Sequence, residues 1–180
     1  KRIRVTFVDG TRANAEIAAT DPENDIAVLA ADRGPEVIVP AVFGGGPRKL
    51  LVQANRNGYF YVLDRTNGKF LAGTQFVKTV TWASGLDANG RPMRVPNMEP
   101  TLEGKRVCPS LDGASNWYST SFNPVTNLYY VQTNDKCGIF TKTPMDWEAG
   151  KGFMGGSFAP APEPAQRLLR AIDIQTGKAV

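Results

Sequence analysis

The side chains in this chain that could do chemistry are few, and one type is missing altogether. The 180 residues include no histidine, two cysteines, 21 Lys or Arg and 17 Asp or Glu. Without histidine, the chain by itself has no histidine general base, no Ser-His-Asp triad and no histidine-bound zinc. Cys108 and Cys137 are too few for a structural zinc site with four ligands, so we assign no metal site. The pair is either one disulfide or two buried thiols.

Arg56 is the residue whose position raises a specific question. It lies in the stretch RKLLVQANRNGYFYVLDRTNGKF, residues 48–70, where Asn55-Arg56-Asn57-Gly58 separates two apolar runs. An Asn-Gly pair between apolar runs predicts a β-hairpin, so Arg56 would occupy a turn between two strands. It is then either a solvated turn residue or a cation aimed at a ligand. Taken alone, the residues favour the first interpretation, because polar residues of this kind are common in turns.

Charge and hydropathy exclude several classes of protein. The net charge is +4, but the basic residues are scattered along the chain, which argues against a nucleic-acid footprint. No apolar run reaches the length of about 18 residues that a membrane-spanning helix needs. No signal peptide is recognised either. We therefore expect a globular domain with no nucleic-acid partner and no membrane span.

Short strands and turns account for most of the sequence. Alternation over residues 2–8, the pair Asp9-Gly10 and a return strand predict a hairpin, and residues 26–30 predict a further strand. Gly44–Gly46 indicates a linker. Beyond it, apolar runs flanked by turn residues predict strands at 49–54 and 59–64 and strand–turn–strand regions at 121–133 and 168–180, and residues 74–85 form a further apolar run. No stretch has sustained helical periodicity, so the fold class is predicted to be all-β.

An internal repeat indicates what kind of all-β fold this is. YVLDRTNGKFL and RAIDIQTGKAV share an aspartate that is followed, four residues later, by Gly-Lys, which pairs Asp64 with Asp173 and Gly68 with Gly177. We expect the aspartate to accept hydrogen bonds from turn amides and the glycine to adopt a positive φ. Repeated strand–turn–strand units of this kind suggest the blades of a β-propeller or a similar array.

Residues 1–43 resemble part of an HtrA-type, trypsin-like serine protease. The resemblance rests on VTFVDGTRANAEIAATDPENDIAVLAAD, a hairpin followed by an Asp-Pro turn and an Ala-Val-Leu strand. In that family the aspartate that opens this strand orients the catalytic histidine, and Asp25 matches it. Because the chain has no histidine and no Gly-Asn-Ser-Gly-Gly nucleophile turn, Asp25 is expected to be a vestigial triad position with a structural role.

Residues from about 47 to 180 resemble the later part of a methanol/ethanol dehydrogenase that depends on pyrroloquinoline quinone (PQQ). The matching strings include RKLLVQANRNGYFYVLDRTNGKFLAGTQFVKTVTWASGLDANGRPM, VCPSLDGASNWYSTSFNP, LYYVQTNDKC and LRAIDIQTGK, in the family's order. The resemblance implies a periplasmic oxidoreductase with an eight-bladed β-propeller. It also implies hydride transfer from a small alcohol to PQQ held by Ca²⁺, with cytochrome c as the electron acceptor.

The resemblance assigns roles to four residues. Arg56 matches a cation that points at the quinone oxygens of PQQ, where it would polarise the carbonyl and stabilise the negative charge that develops as hydride arrives. Asn116, in CPSLDGASNW, matches an asparagine that hydrogen-bonds the cofactor. Cys108 and Cys137 match a disulfide pair of several members, and a disulfide points to an oxidising compartment.

Other parts of the family's site have no counterpart in this sequence. The family's catalytic aspartate, a base and Ca²⁺ ligand, precedes the RKLL strand; Asp25 and Asp32 lie in that interval but in the wrong motif. The adjacent cysteine pair, the Glu and Asn that bind Ca²⁺ and the tryptophan floor belong to earlier blades. At roughly 40–45 residues a blade, residues 47–180 supply at most three blades. We therefore expect no complete PQQ and Ca²⁺ site and no activity from these residues alone.

The predicted organisation has three parts: a non-catalytic protease-like piece at 1–43, a Gly-rich junction at 44–47 and a partial quinoprotein propeller at 48–180. A fusion, a truncation or a chimera would give this pattern. Two alternatives to a dehydrogenase fragment remain, a trypsin-like protease fragment and a non-catalytic β-rich binding or scaffold module that self-associates. The module would expose aromatic residues that we instead expect to pack inside blades. These residues are Trp82, Trp117, Trp147, Tyr129 and Tyr130.

Overall fold

A computed structural model describes residues 3–7, 10–21, 26–34 and 41–180 of the chain. Every regular element in these ranges is a β-strand, so the all-β prediction is confirmed. Over the same ranges there is no helix with the length and apolar character needed to cross a membrane. The chain divides into two compact units, Lys1–Val39 and Pro40–Val180.

The first unit contains a three-stranded antiparallel sheet with β2 in the middle. Its strands are β1 (Ile3–Thr6), β2 (Arg12–Asp21) and β3 (Ile26–Ala31). The register places Ala15 opposite both Ile3 and Ala31, and the side chain of Ala15 is buried. The backbone and side-chain amides of Asn14 donate to the carboxylate of Asp32 at 3.1 and 3.0 Å. These bonds give Asp32 a structural role just after the third strand.

The strands of the first unit agree with the hairpin and the further strand expected from residues 2–8 and 26–30. Asp25, the position that matches the protease aspartate, lies outside the described residues. The resemblance of residues 1–43 to a protease, and the structural role expected for Asp25, therefore stay predictions.

The second unit is built from antiparallel sheets. Its strands are β4 (Ala41–Phe43), β5 (Gly46–Arg48), β6 (Leu50–Ala54), β7 (Tyr59–Asp64), β8 (Phe70–Gln75), β9 (Ala83–Leu86), β10 (Pro92–Arg94), β11 (Lys105–Val107), β12 (Ser121–Asn123), β13 (Leu128–Asp135), β14 (Gly138–Lys142), β15 (Gly156–Pro160) and β16 (Gln166–Asp173). The sheet orders are β4-β5, β6-β7-β8, β10-β9, β11-β14-β15 and β12-β13-β16. Because β13 pairs with β16, the hairpin β14-β15 leaves that sheet and joins β11 instead.

The core of the second unit draws on the sheets β6-β7-β8 and β12-β13-β16. Phe60 and Val62 of β7 are buried in one cluster with Tyr129 and Val131 of β13 and Ile172 of β16. The ring of Phe60 lies 5.4 Å from the ring of Tyr129, in a tilted geometry that aromatic pairs favour. The residues of this cluster alternate along β7 and β13, so each strand turns one face toward this core, while the buried Tyr59 of β7 lies outside the cluster. Burial of each large side chain contributes about 1.5–3 kcal/mol to folding.

The two copies of the Asp-x-x-x-Gly-Lys repeat form the same turn. In each, the aspartate carboxylate accepts the backbone N–H two residues later at 2.8 Å. The carbonyl of Asp64 accepts the N–H of Gly68 at 2.8 Å, and that of Asp173 accepts the N–H of Gly177 at 2.7 Å. The glycines have φ of 74° and 68°, a conformation that other residues adopt only at a cost. The repeat in the sequence is therefore a repeat of structure.

The glycine-rich junction at 44–47 is part of a hairpin and not an open linker. Strands β4 and β5 pair around Gly44 and Gly45. Their φ values of 60° and 83° suit the two-residue turn that joins hairpin strands. Residues 41–48 consequently belong to the second unit, so the division of the chain falls at Val39–Pro40, a few residues before the predicted junction.

A turn near the end of the second unit holds this hairpin. The side-chain oxygen of Gln175 accepts the N–H of Gly44 at 3.0 Å, and its side-chain nitrogen donates to the carbonyl of Val42. The side chain of Asn127 donates to the same carbonyl at 3.0 Å. The hairpin is thus bonded to residues more than 80 positions away in the sequence.

The apolar run at 74–85 is not a single strand. β8 ends at Gln75 and β9 begins at Ala83, and the two residues after β8 are buried in the core. The backbone N–H of Lys78 donates to the carboxylate of Asp135 at 2.9 Å, so the segment bonds to β13 instead of extending the β7 ladder. An apolar run does not by itself distinguish a strand from a buried irregular segment.

Candidate functional site

The turn that carries Arg56 is fixed by its own asparagines. The side-chain oxygen of Asn55 accepts the N–H of Asn57, and that of Asn57 accepts the N–H of Tyr59, both at 3.0 Å. The backbone closes the hairpin with bonds from Asn55 N–H to the Tyr59 carbonyl, 3.0 Å, and from Gly58 N–H to the Asn55 carbonyl, 3.1 Å. Asparagine favours such turns because its side chain satisfies nearby backbone amides. The backbone of Arg56 is therefore held from both sides.

Gly58 and Trp82 anchor this turn to the rest of the unit. Gly58 has a φ of 98°, and a Cβ at this position would lie 2.6 Å from Cγ2 of Val80, so the position requires glycine. The indole N–H of Trp82 donates to the carbonyl of Asn57 at 3.1 Å. Its ring meets the ring of Tyr59 edge-on, with 6.5 Å between centroids. Packing as well as hydrogen bonding thus sets the position of the turn.

The side chain of Arg56 reaches the segment Cys108–Asn116, which we call the disulfide loop. Its Nη1 donates to Oδ1 of Asn116 at 3.3 Å, and its Nη2 donates to the carbonyl of Leu111 at 2.6 Å. The structure therefore brings together the two residues that were assigned to the cofactor, although they are 60 positions apart in sequence. Arg56 is exposed, and a guanidinium has five N–H donors, so donors remain for a ligand.

The disulfide loop contacts both the backbone of Arg56 and the stem of its side chain. The N–H of Ala114 donates to the carbonyl of Arg56 at 2.9 Å. Gly113 has a φ of 79°, and a Cβ there would lie 2.9 Å from Cβ and 3.0 Å from Cγ of Arg56. A glycine at this position lets the loop pass directly against the arginine.

Cys108 and Cys137 form a disulfide across 29 positions of sequence, and both are buried. Beside the bridge, the backbone N–H of Ser110 donates to the carbonyl of Lys136 at 2.9 Å. The start of the disulfide loop is thus tied covalently to the connection between β13 and β14. The two sulfurs and the carboxylate of Glu163 lie within 4.8 Å of one another, but sulfurs that are bonded to each other are not thiolate ligands for a metal.

One carboxylate and several cations set the electrostatics around Arg56. Nζ of Lys136 forms an ion pair with Oδ2 of Asp112 at 2.8 Å. The hydrogen bond from Lys136, together with the charges of Lys136, Arg167 and Arg56, lowers the pKa of Asp112 below its ordinary value. Asp112 is therefore an anion at neutral pH, and three cations act on this one carboxylate. Such a group of cations attracts anionic ligands.

An open cavity of about 570 Å³ lies beside Asn116. Its lining includes Asn116, Trp117, Tyr118 and Arg167. The rings of Trp117 and Tyr118 are stacked, with 5.9 Å between centroids and 14° between planes. Asn116, the partner of Arg56, therefore borders a space that offers a ligand its own amide, the guanidinium of Arg167 and aromatic faces, with the carboxylate of Asp112 also in the lining.

The expectation that the aromatic residues pack inside blades is right for some of them and wrong for two. Tyr129 is buried, and Trp82 and Tyr130 are partly buried. Trp117 and Trp147, in contrast, are 85% and 71% exposed. Both exposed residues lie in irregular segments, where no strand alternation directs a side chain to the core.

Sequence reasoning identified Arg56 and Asn116 but missed the groups that connect them. Leu111 contributes only a backbone carbonyl, which leaves no trace in the residue type. Asp112 and Lys136 are 24 positions apart and carry no motif of their own. Asp112 follows Cys108 and Lys136 precedes Cys137 in the sequence. A disulfide between the two cysteines is the one signal that could have predicted that Asp112 and Lys136 lie close together.

Comparison with known proteins finds relatives among the quinoprotein alcohol dehydrogenases. No protein-family model matches the chain. The chain is 40% identical over 146 residues to the quinoprotein alcohol dehydrogenase PedH of Pseudomonas putida, a match that covers 76% of this chain and 24% of that protein. Its fold is similar to that of the quinohemoprotein alcohol dehydrogenase from Comamonas testosteroni, with a TM-score of 0.69 and 27% identity over 93% of this chain and 28% of that one. It is also similar to a europium-containing methanol dehydrogenase, with a TM-score of 0.64 and 29% identity over 76% of this chain and 25% of that one.

The likeness is to a part of these enzymes, because the chain spans about a quarter of the length of the curated relative. Within residues 41–180 the sheets do not close into a ring, which agrees with the predicted partial β-propeller. Over about three quarters of its length, the chain belongs to the quinoprotein alcohol dehydrogenase family.

Proposed function

We propose that residues 41–180 supply part of the cofactor site of a PQQ-dependent alcohol dehydrogenase, with Arg56 and Asn116 facing the cofactor. When bound, PQQ accepts hydride from a small alcohol. Arg56 would hold guanidinium donors at the quinone oxygens, where a fixed cation stabilises the negative charge that develops. Asn116 would hold a carboxamide donor at a neighbouring oxygen of the cofactor.

The contact between Arg56 and Asn116 is the observation that carries this proposal. The resemblance assigned each residue from a different string of the sequence, and their side chains lie 3.3 Å apart. The donor set also suits the cofactor, since quinone and carboxylate oxygens accept hydrogen bonds that guanidinium and carboxamide groups donate. The three cations around Asp112, one of which is Arg56, favour an acidic cofactor for the same reason.

We place the catalytic base and the metal ligands outside residues 41–180. Asp112, the carboxylate next to Leu111 in the disulfide loop, already has a cationic partner, because it pairs with Lys136 at 2.8 Å. The metal proposed for the complete site is Ca²⁺, and the europium-containing relative makes a lanthanide the ion to compare with it. We accordingly expect the 180 residues to bind cofactor without turning over alcohol.

Titrating the chain with PQQ, alone and with Ca²⁺ or Eu³⁺, and following tryptophan fluorescence measures binding directly. We expect Arg56→Met to weaken PQQ binding about tenfold or more, because a hydrogen bond to a charged group contributes about 1.5–3 kcal/mol. Arg65→Met is the matched control. It removes the same charge from an exposed arginine in the other turn of the same hairpin stretch, where we place no ligand.

Equal PQQ affinity for Arg56→Met and the unchanged chain would contradict the role proposed for Arg56. Failure of the unchanged chain to bind PQQ would contradict the proposal that these residues hold the cofactor by themselves. Alcohol-dependent dye reduction in the presence of PQQ and Ca²⁺ is expected to stay at the level of a buffer blank. Turnover above the blank would show that the site is complete and would overturn the placement of the base and the metal elsewhere.

Two further assignments follow from the family and remain part of this proposal. The electron acceptor of the complete enzyme would be a cytochrome c. The compartment would be the periplasm, and the disulfide between Cys108 and Cys137 supports an oxidising environment.

A second candidate function, a non-catalytic module that self-associates, is favoured by one observation. Trp117 and Trp147 are exposed, and exposed aromatic surface often marks an interaction site. Size-exclusion chromatography at increasing protein concentration tests it. A monomer that keeps the same elution volume at every concentration would remove this candidate.

A further inference from the structure

We infer that the ion pair between Asp112 and Lys136 is a positioning pair, which holds the disulfide loop and, through it, the guanidinium of Arg56. The family resemblance assigns a role to neither residue. The inference rests on the proposed function for its consequence in cofactor binding. Its structural part concerns the orientation of Arg56 and Asn116 and can be measured without cofactor.

The position of the Arg56 guanidinium depends on the disulfide loop. In the described part of the chain, both groups that accept its terminal N–H donors belong to this loop, the carbonyl of Leu111 and Oδ1 of Asn116. The stem of the arginine also passes against Gly113, where a Cβ would lie within 3.0 Å of it. A shift of the loop would therefore move the guanidinium or leave it unsupported.

The second half of the disulfide loop is bonded to the strands of the core. The hydroxyl of Ser115, which is buried, donates to the carbonyl of Ala54 at 2.5 Å. The N–H of Asn134 donates to the carbonyl of Ala114 at 2.7 Å. These bonds fix residues 114 and 115, but they do not reach Leu111, which carries the shorter of the two bonds to Arg56.

The first half of the disulfide loop is held from the connection between β13 and β14. The disulfide joins Cys108 to Cys137, and Ser110 N–H donates to the Lys136 carbonyl at 2.9 Å. The side chain of Lys136 then reaches Asp112 at 2.8 Å. The Ser110 bond and the ion pair thus hold the disulfide loop one residue to either side of Leu111, and the ion pair is the attachment between Leu111 and Asn116.

Asp112 also orients Asn116. The backbone carbonyl of Asp112 accepts Nδ2 of Asn116 at 3.0 Å, and this bond leaves Oδ1 of Asn116 facing Arg56. Lys136, Asp112, Asn116 and Arg56 therefore form one continuous series of contacts. Oδ1 of Asn116 also accepts the N–H of Trp117 at 2.9 Å, so loss of the ion pair would loosen one of the two bonds that, with Arg56, orient the carboxamide.

A role in positioning and a role through charge alone predict different results. Asp112→Asn removes a negative charge close to Arg56, so charge alone would strengthen the binding of an acidic cofactor. Lys136→Met removes a positive charge, so charge alone would weaken binding. If the pair positions Arg56, both substitutions weaken binding, because each breaks the same contact.

The test is a double-mutant cycle on PQQ affinity. We expect Asp112→Asn and Lys136→Met each to weaken binding about threefold, as for a partly exposed ion pair, and the double variant to be no weaker than either single one. Lys136→Arg should keep most of the affinity, because it can still reach Asp112. The matched control is Lys151→Met, which breaks the exposed pair with Glu148, 2.8 Å, and removes the same charge outside the disulfide loop.

A second readout is independent of PQQ. We expect the ¹⁵N NMR signals of the Arg56 guanidinium and the Asn116 carboxamide to shift or broaden in Asp112→Asn and in Lys136→Met, and to stay unchanged in Lys151→Met. Lys136→Met also removes the contact between Nζ of Lys136 and the ring of Phe158, 5.9 Å to the centroid, which Asp112→Asn does not alter directly. Agreement between the two variants therefore assigns the effect to the ion pair.

Tighter PQQ binding by Asp112→Asn, or additive effects in the cycle, would overturn the inference. Unchanged Arg56 and Asn116 signals in both single variants would do the same. If the unchanged chain does not bind PQQ, the proposed function fails, and the NMR signals alone decide whether the pair positions Arg56. Failure of the proposed function and failure of the positioning role are thus distinguishable.

Discussion

Reduction of the disulfide between Cys108 and Cys137 should lower the free energy of unfolding by about 3.6 kcal/mol. The bridge spans 29 positions of sequence. The chain-entropy relation for a loop of this length gives about 12 cal/mol/K, or about 3.6 kcal/mol at 25 °C. Both cysteines are buried together with Ala161, so reduced thiols would keep most of their packing, and the freedom regained by the unfolded chain is the main change.

Urea denaturation followed by tryptophan fluorescence, with and without reductant, measures this loss. With a slope of about 2 kcal/mol per molar urea, the midpoint should fall by about 1.8 M. The variant Cys108→Ala/Cys137→Ala should be at least as unstable as the reduced chain, since it also loses the packing of two sulfurs. Reductant should have no effect on this variant, which controls for changes caused by the reductant itself.

A loss of less than about 1 kcal/mol on reduction would refute the reasoning. It would mean that the unfolded chain gains little freedom when the bridge opens. Hydrogen exchange of the Ser110 amide would then show whether the disulfide loop stays in place. If the loop stays, the bond to the Lys136 carbonyl keeps this amide protected in the reduced chain.

Three further predictions concern the turns. Gly177→Ala should destabilise the chain by about 1–3 kcal/mol more than Gly68→Ala, because a Cβ at Gly177 would lie 2.3 Å from Cγ2 of Thr74 whereas a Cβ at Gly68 meets nothing within 4 Å. Both glycines share the cost of a positive φ, so the contact with Thr74 is what distinguishes the two variants. Equal losses of unfolding free energy in urea denaturation would contradict this. Hydrogen bonds from the hydroxyl and then the N–H of a turn threonine lower the pKa of Asp64, so its contribution to stability is present above its unfolded pKa and is lost as the pH falls through its folded pKa. Below about pH 5, the free energy of unfolding of Asp64→Asn should therefore fall less steeply than that of the unchanged chain. Identical pH profiles of the two proteins would exclude this contribution from Asp64. Trp82→Phe should lower the free energy of unfolding by about 1 kcal/mol, because the carbonyl of Asn57 loses its indole donor. Hydrogen exchange in the Arg56 turn should also become faster. Unchanged exchange there would contradict the anchoring role.

Features that depend on neighbouring residues could be predicted from the sequence. The hairpin at Asn57-Gly58 and the two aspartate turns follow from residues a few positions apart, whose side chains satisfy the local backbone. The irregular crossing within residues 74–85 could not be predicted, because it depends on a bond to Asp135 in a distant strand. The two residues of that bond are 57 positions apart, and an apolar run does not reveal such a partner.

The candidate site shows the same limit. Arg56 and Asn116 were identified through a family resemblance, since their residue types alone fit ordinary turns. Their contact depends on the path of the disulfide loop, which is set by Gly113 and by attachments to Lys136. A backbone carbonyl and a glycine that permits close approach leave no pattern in a sequence, so the geometry around the arginine required the structure.

The hairpin β4-β5 gives the second unit an unexpected dependence between its two ends. Gln175 bonds both Gly44 and Val42, and the bond to Gly44 spans 131 positions of sequence. Residues 41–48 are thus held by the last turn of the chain as well as by their own pairing. Damage confined to residues 175–180 would consequently also be felt at residues 41–48, where no residue had changed.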